Sequence, residues 1–220
     1  MTNYLKASWR TEIIPVLLII LAVASSFYFY ANFPEQVPIH WNVYGQVDGW
    51  SSRAFGAFFF PALITGMYLL FFIFPYLDPK KERYEQFAKA YHIFKGAIVA
   101  FVALLYFYTS LIALGHQLLP VNVAVPVGIG VLFIIIGNYL GKVKANWFMG
   151  IRTPWTLSSE EVWNKSNRLG GKIFIIMGLF SVLGFWLPST IFFGIFITMV
   201  IVGSLIPIVY SYWLWRKLNH

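Results

Sequence analysis

The placement of its charge-free runs constrains this chain more than any other feature. No Asp, Glu, Lys or Arg occurs in residues 13–34, 54–77, 96–141 or 173–215, which are runs of 22, 24, 46 and 43 residues. A helix that crosses a bilayer needs about 20 apolar residues. The first two runs hold one span each. The last two are too long for one and read as helical hairpins. Six spans follow, expected near 12–31, 54–77, 91–115, 119–141, 170–187 and 190–214. Turn signals fall where the hairpins need them, at Gly115-His116-Gln117 ahead of Pro120 and at Pro188-Ser189-Thr190. Only 11% of the residues are charged and 59% are apolar, whereas a soluble domain carries about a quarter charged residues. A soluble globule and a disordered chain are both excluded. Lys6 and Arg10 precede the first run as in a signal peptide. That run is long, however, and Ser25-Ser26 leads into Phe27 and Tyr28 rather than a small-residue cleavage site, so it reads as a retained span.

The basic residues orient these spans. Fifteen of the 16 Lys and Arg fall in the two tails and in the second and fourth connections; Arg53 alone falls elsewhere. An even number of spans puts both tails on one side, and the positive-inside rule makes that side cytoplasmic. Both termini are therefore expected on the cytoplasmic side of the membrane. The net charge of +8 is then an orientation signal that also attracts anionic membrane lipid, and direct nucleic-acid binding is not expected. All nine Trp fall at expected span ends or in loops, where an indole suits the headgroup layer.

Two connections are long and specific in composition. The outer one, residues 32–53, has Pro34 and Pro38, alternation at Val37, Ile39 and Trp41 that suits a strand, and a turn signal at Asp48-Gly49. Glu35, His40 and Asp48 are its acids and its base, and together they are the one conceivable metal set, although a solvated histidine is the expectation. The inner connection, residues 142–172, holds Ser158 three residues before Glu161, a capping-box spacing. A short interfacial helix is expected from there to about Arg168, with Gly170-Gly171 turning the chain into the fifth span. In both loops a glycine precedes a tryptophan by five residues, Gly45 and Trp50, Gly150 and Trp155. This hints at two inverted halves of three spans each.

The string Gly150-Ile-Arg-Thr-Pro-Trp-Thr-Leu-Ser-Ser-Glu-Glu-Val-Trp163, with Gly137-Asn138 before it and Arg168-Leu-Gly-Gly171 after it, closely resembles the signature of the SdpI family of bacterial multi-pass membrane proteins. The outer segment, with Pro34, Pro38, His40, Asn42, Gly45, Asp48, Gly49 and Trp50, resembles a domain of unknown function that often precedes this signature. The resemblance implies an immunity protein that protects against a secreted membrane-active peptide toxin. It also implies recruitment of a transcriptional repressor to the inner face. It divides the chain into a two-span region, 1–90, and an SdpI-like four-span region, 91–220.

The candidate residues follow. Glu35, His40, Trp41, Asn42, Asp48 and Trp50 are candidates for peptide contact outside. Asn138, Asn146, Gly150, Arg152, Thr153, Pro154, Trp155, Thr156, Ser159, Glu160, Trp163 and Arg168 are candidates for partner docking inside. Arg152 leads the second set, because it can pair with Glu160 and Glu161, with lipid phosphate, or with a partner. Asn122 and Asn138 are expected to bond between helices. No catalytic motif occurs, no cofactor is expected, and no expected span carries an acid or base at its centre. A transporter or lipid-handling protein is the alternative class, and a membrane-embedded enzyme ranks third.

Overall fold

The computed structural model describes residues 5–116 and 118–219. The chain forms a bundle of six long helices: α1 (Trp9–Asn32), α2 (Arg53–Leu77), α3 (Tyr84–Ala113), α4 (Val121–Leu140), α6 (Glu160–Leu183) and α7 (Ser189–Asn219). A short helix α5 (Pro154–Ser158) precedes α6, and a hairpin of β1 (Gln36–Trp41) and β2 (Val47–Ser52) joins α1 to α2. All six long helices are long and apolar enough to span a bilayer. Large apolar side chains stand exposed along them, such as Leu104 at 63% and Val209 at 62%. Surface of that kind and extent needs lipid to cover it. The chain is a helical, multi-pass membrane protein.

The bundle has two faces. On one, Leu5 of the N-terminal segment packs with Tyr84, Tyr91, Val143 and Trp163, and the last turns of α7 reach the segment before α5 through Ser211. This is the tail face. The opposite face carries the β-hairpin and the turns before α4 and α7. There a β-carbon on Gly45 would stand 2.9 Å from Asn122 Oδ1, and Asn122 donates to Ser189 Oγ at 3.0 Å. Helices α1, α2 and α3 pack mutually around Ala22, Ala57, Ile64 and Ala103, whereas α6 lies between α4 and α7.

Small residues set the closest approach. Gly137 faces Gly171, and Gly130 faces Gly178, across the antiparallel pair α4 and α6. A β-carbon on Gly137 would meet the Gly171 carbonyl oxygen at 2.6 Å, and one on Gly178 would meet that of Gly130 at the same distance. Close backbone contact replaces the hydrophobic drive that helices lack in lipid.

Several sequence expectations need correcting. The sequence predicts an interfacial helix ending near Arg168 and a turn at Gly170-Gly171. Instead α6 runs unbroken from Glu160, and Gly170 and Gly171 are buried in helix packing. The short helix of the inner connection is α5, capped by Thr153. Asp48 and Gly49 lie within β2 rather than in the turn, which spans residues 42–46 and uses Gly45 at φ 77°. Trp163 is fully buried and donates its indole N–H to the Val143 carbonyl at 2.8 Å, so it is a core residue and not a headgroup anchor. Gln117, part of the first hairpin signal, lies outside the described residues.

Candidate functional site

The hairpin face offers a shaped groove. β1 leaves α1 directly and β2 runs into α2, whose first turn is capped by Ser52 accepting from Phe55 N–H at 3.3 Å. The strands pair antiparallel, with Val37 opposite Ser51 and His40 opposite Gly49. Asn42 ties the turn by accepting from Tyr44 and Gln46 N–H at 3.0 and 3.1 Å. Val37 sits where a β-carbon on Gly56 would be, so β1 is pressed onto α2. Beneath the hairpin a groove of about 440 Å³ runs between Phe33, Ile39, Trp41, Phe59 and Thr109. His40 also lines it and meets Asp48 Oδ1 at 2.5 Å. Glu35 and Trp50 are exposed outside it. Among the described residues no three His, Asp or Glu converge as a metal site would require, so Glu35 does not complete a set with His40 and Asp48.

The tail face is held by internal hydrogen bonds. Asn146, wholly buried, accepts from Phe148 and Met149 N–H at 2.8 and 2.7 Å and donates to the Lys144 and Met149 carbonyls. Asp78, also buried, accepts from Lys80 N–H, Trp147 N–H and the Tyr84 hydroxyl at 2.7–2.9 Å. Asn167 accepts from Ile151 N–H at 2.8 Å. Gly150 takes φ 111°, with Asn167 and Trp163 packed where its β-carbon would be. Thr153 and Thr156 bond reciprocally, side chain to backbone N–H, at 2.8 and 3.1 Å, and Thr153 Oγ1 lies 3.0 Å from Ser211 Oγ. Buried polar groups satisfied this completely fix a chain path.

The remaining inner candidates lie nearer the surface. Arg152 and Pro154 are exposed, and the Arg152 guanidinium donates to the Trp147 carbonyl. The expected pairing of Arg152 with Glu160 or Glu161 is not formed. Glu160 instead takes Arg83 at 2.6 Å, and Glu161 takes Lys165 at 2.6 Å. Trp155 is half-buried, its ring 5.0 Å from that of Tyr212. Ser159 caps α6. Arg168 and Asn138 are exposed, and Asn138 bonds only within α4, to Ile134, so the expected interhelical bond is made by Asn122 alone of the two.

One cluster went unforeseen. Lys95, counted among the cations of the second connection although it falls within the span expected at 91–115, is 0% exposed inside α3. Its ammonium donates to both Glu12 carboxylate oxygens, at 2.7 and 2.6 Å, and lies 4.8 Å from the centre of the Phe72 ring. Tyr68 hydroxyl donates to Glu12 at 2.8 Å, and His92 Nε2 lies 2.7 Å from the Leu5 carbonyl. The expectation that no span carries an ionisable group at its centre did not reach this pair, because Glu12 lies in the first turn of α1 and Lys95 meets it at that level. The pair's only signal in the sequence was that Glu12 and Lys95 sit immediately beside apolar runs.

The fold and these sites define a class, a multi-pass membrane protein with a roofed groove on one face and a hydrogen-bonded signature segment on the other. Residues 142–211 match the SdpI/YfhL protein family, and residues 17–65 match a domain of unknown function, DUF1648. The chain is 28% identical over 211 residues to the immunity protein SdpI of Bacillus subtilis (strain 168), covering 96% of this chain and 98% of the relative. The family resemblance drawn from residues 150–163 is borne out. No solved structure matches the chain.

Proposed function

We propose that this chain is a non-catalytic immunity protein of the cytoplasmic membrane, protecting its cell against a secreted membrane-active peptide. The observation that carries this reading is the end-to-end similarity to a relative named as an immunity protein. The groove under the hairpin supports it. An apolar slot of about 440 Å³ with His40 and Trp41 at its wall suits an apolar peptide segment. With both tails in the cytoplasm, as the distribution of basic residues favours, that groove faces the side from which a secreted peptide arrives. The exposed surface of the signature segment, with Arg152 and Pro154, faces the cytoplasm and is the docking surface for a repressor. The two-region organisation, 1–90 and 91–220, is one of sequence, since position 90 lies inside α3.

The buried Glu12–Lys95 pair favours a second reading, a transporter, because ionisable groups within spans commonly mark transport paths. One experiment separates the two. The protein is expressed in a peptide-sensitive strain, and survival under peptide challenge is measured. Immunity requires survival above that of the strain lacking the protein. Unchanged killing at verified membrane expression rejects immunity and leaves transport as the reading to pursue.

A further inference from the structure

A second groove opens on the tail face, beside the Glu12–Lys95 cluster and sharing His92 with it. It lies between α1, α3 and α4, with a volume of about 670 Å³. Its wall is apolar, including Ile14, Ile93, Ala97 and Ile135. Three cations, Lys6, Arg10 and Lys89, also line it, contributed by two segments distant in sequence. Among the described residues, none of these three cations has a carboxylate partner. Lys6 is held at φ 49°, a left-handed conformation uncommon outside glycine. His92, its side chain 9% exposed, lines the same groove, and its Nδ1, which makes no hydrogen bond, stands 3.4 Å from Glu12 Oε1. The groove continues toward the hairpin face, because Ala97, Ala100 and Ile135 also line the next cavity along, of about 450 Å³ between α3 and α4.

From this geometry we infer a binding site for one anionic glycerophospholipid of the inner leaflet. The phosphate sits among Lys6, Arg10 and Lys89, and one acyl chain lies along α3 over Ala97 and Ala100. Charge complementarity selects this occupant. An apolar helix from a partner would fit the walls but would gain nothing from three lining cations. Each Lys or Arg near a membrane surface strengthens attraction to an anionic headgroup several-fold, and here the three line the slot that takes the chain.

The test uses the full-length protein in dodecyl maltoside, titrated with dioleoyl phosphatidylglycerol and followed by native mass spectrometry. Dioleoyl phosphatidylcholine and soluble glycerol 3-phosphate are run as parallel probes. Phosphatidylglycerol is expected to be retained well above both. The triple substitution Lys6→Gln, Arg10→Gln, Lys89→Gln should weaken its retention about tenfold more than an equal charge loss at Lys144, Lys172 and Arg216. Ala97→Trp, which blocks the acyl path without touching any charge, should lower retention as well and serves if the triple variant misfolds. Equal loss in the two triple variants, or full retention in Ala97→Trp, overturns the proposal. So does equal retention of phosphatidylcholine or glycerol 3-phosphate, or tighter retention of a neutral apolar helical peptide.

Discussion

Lys95 and Glu12 are 83 residues apart in sequence and form a bidentate ion pair between α3 and α1, with the lysine side chain wholly buried. Removing one partner of such a pair strands a charge, whereas removing both does not. Lys95→Met should therefore destabilise the bundle by about 3 kcal/mol. The double variant Glu12→Gln, Lys95→Met should recover most of the loss. Thermal unfolding of the purified protein in detergent checks both, and a double variant no more stable than the single would show that the pair does not act as a unit.

The glycine seam between α4 and α6 should tolerate no added bulk. Gly137→Leu or Gly171→Leu forces the helices apart against a backbone oxygen, and overpacking of that kind costs about 1–3 kcal/mol or more. Gly66 and Gly194 have open space around the position of a β-carbon, so alanine there should be neutral or slightly stabilising. Comparing membrane yield and melting temperature across the four variants is decisive.

Asn146→Ala should loosen the signature segment. It leaves the amides of Phe148 and Met149 without acceptors, at about 1–3 kcal/mol for each buried group left unsatisfied. Limited proteolysis should then cut within residues 142–153 faster than in the parent, while the hairpin face stays resistant.

Thr109→Trp should fill the groove under the hairpin without disturbing any bond beyond its own helix. On the immunity reading, survival under peptide challenge drops to that of cells lacking the protein, at unchanged membrane expression. Full protection by this variant would remove the groove from the mechanism.

Arg152→Gln should impair repressor recruitment and spare protection. Arg152 makes a single surface bond, to the Trp147 carbonyl, whereas Trp155 is braced against Tyr212 and its loss would also disturb packing. Recruitment is read from membrane association of a tagged repressor.

The spans were legible because lipid imposes a length and a lack of charge that a sequence displays directly. The outer strand was legible at Val37, Ile39 and Trp41 for a similar reason, since alternation is local. What stayed hidden depends on tertiary partners. Lys95 stood near the edge of its expected span, where a cation is ordinary, and nothing local announces that Glu12 will meet it. Gly170-Gly171 looked like a hinge, although glycine serves equally for close packing, and only the facing residues of α4 decide between the two. Asn146, Thr153, Thr156 and Trp163 looked like contact residues, and the structure places them inside the segment they shape. Polar and aromatic side chains of a motif read alike whether they hold a partner or their own backbone.

The last helix is held at its first residue and again two turns before its end. Ser189 bonds Asn122 beside the hairpin turn, and Ser211 meets Thr153 of the signature segment. Twenty-two helical steps separate the two serines, about 33 Å at 1.5 Å per residue. One helix, with Pro207 between the two contacts, therefore bonds to both aqueous faces of the bundle.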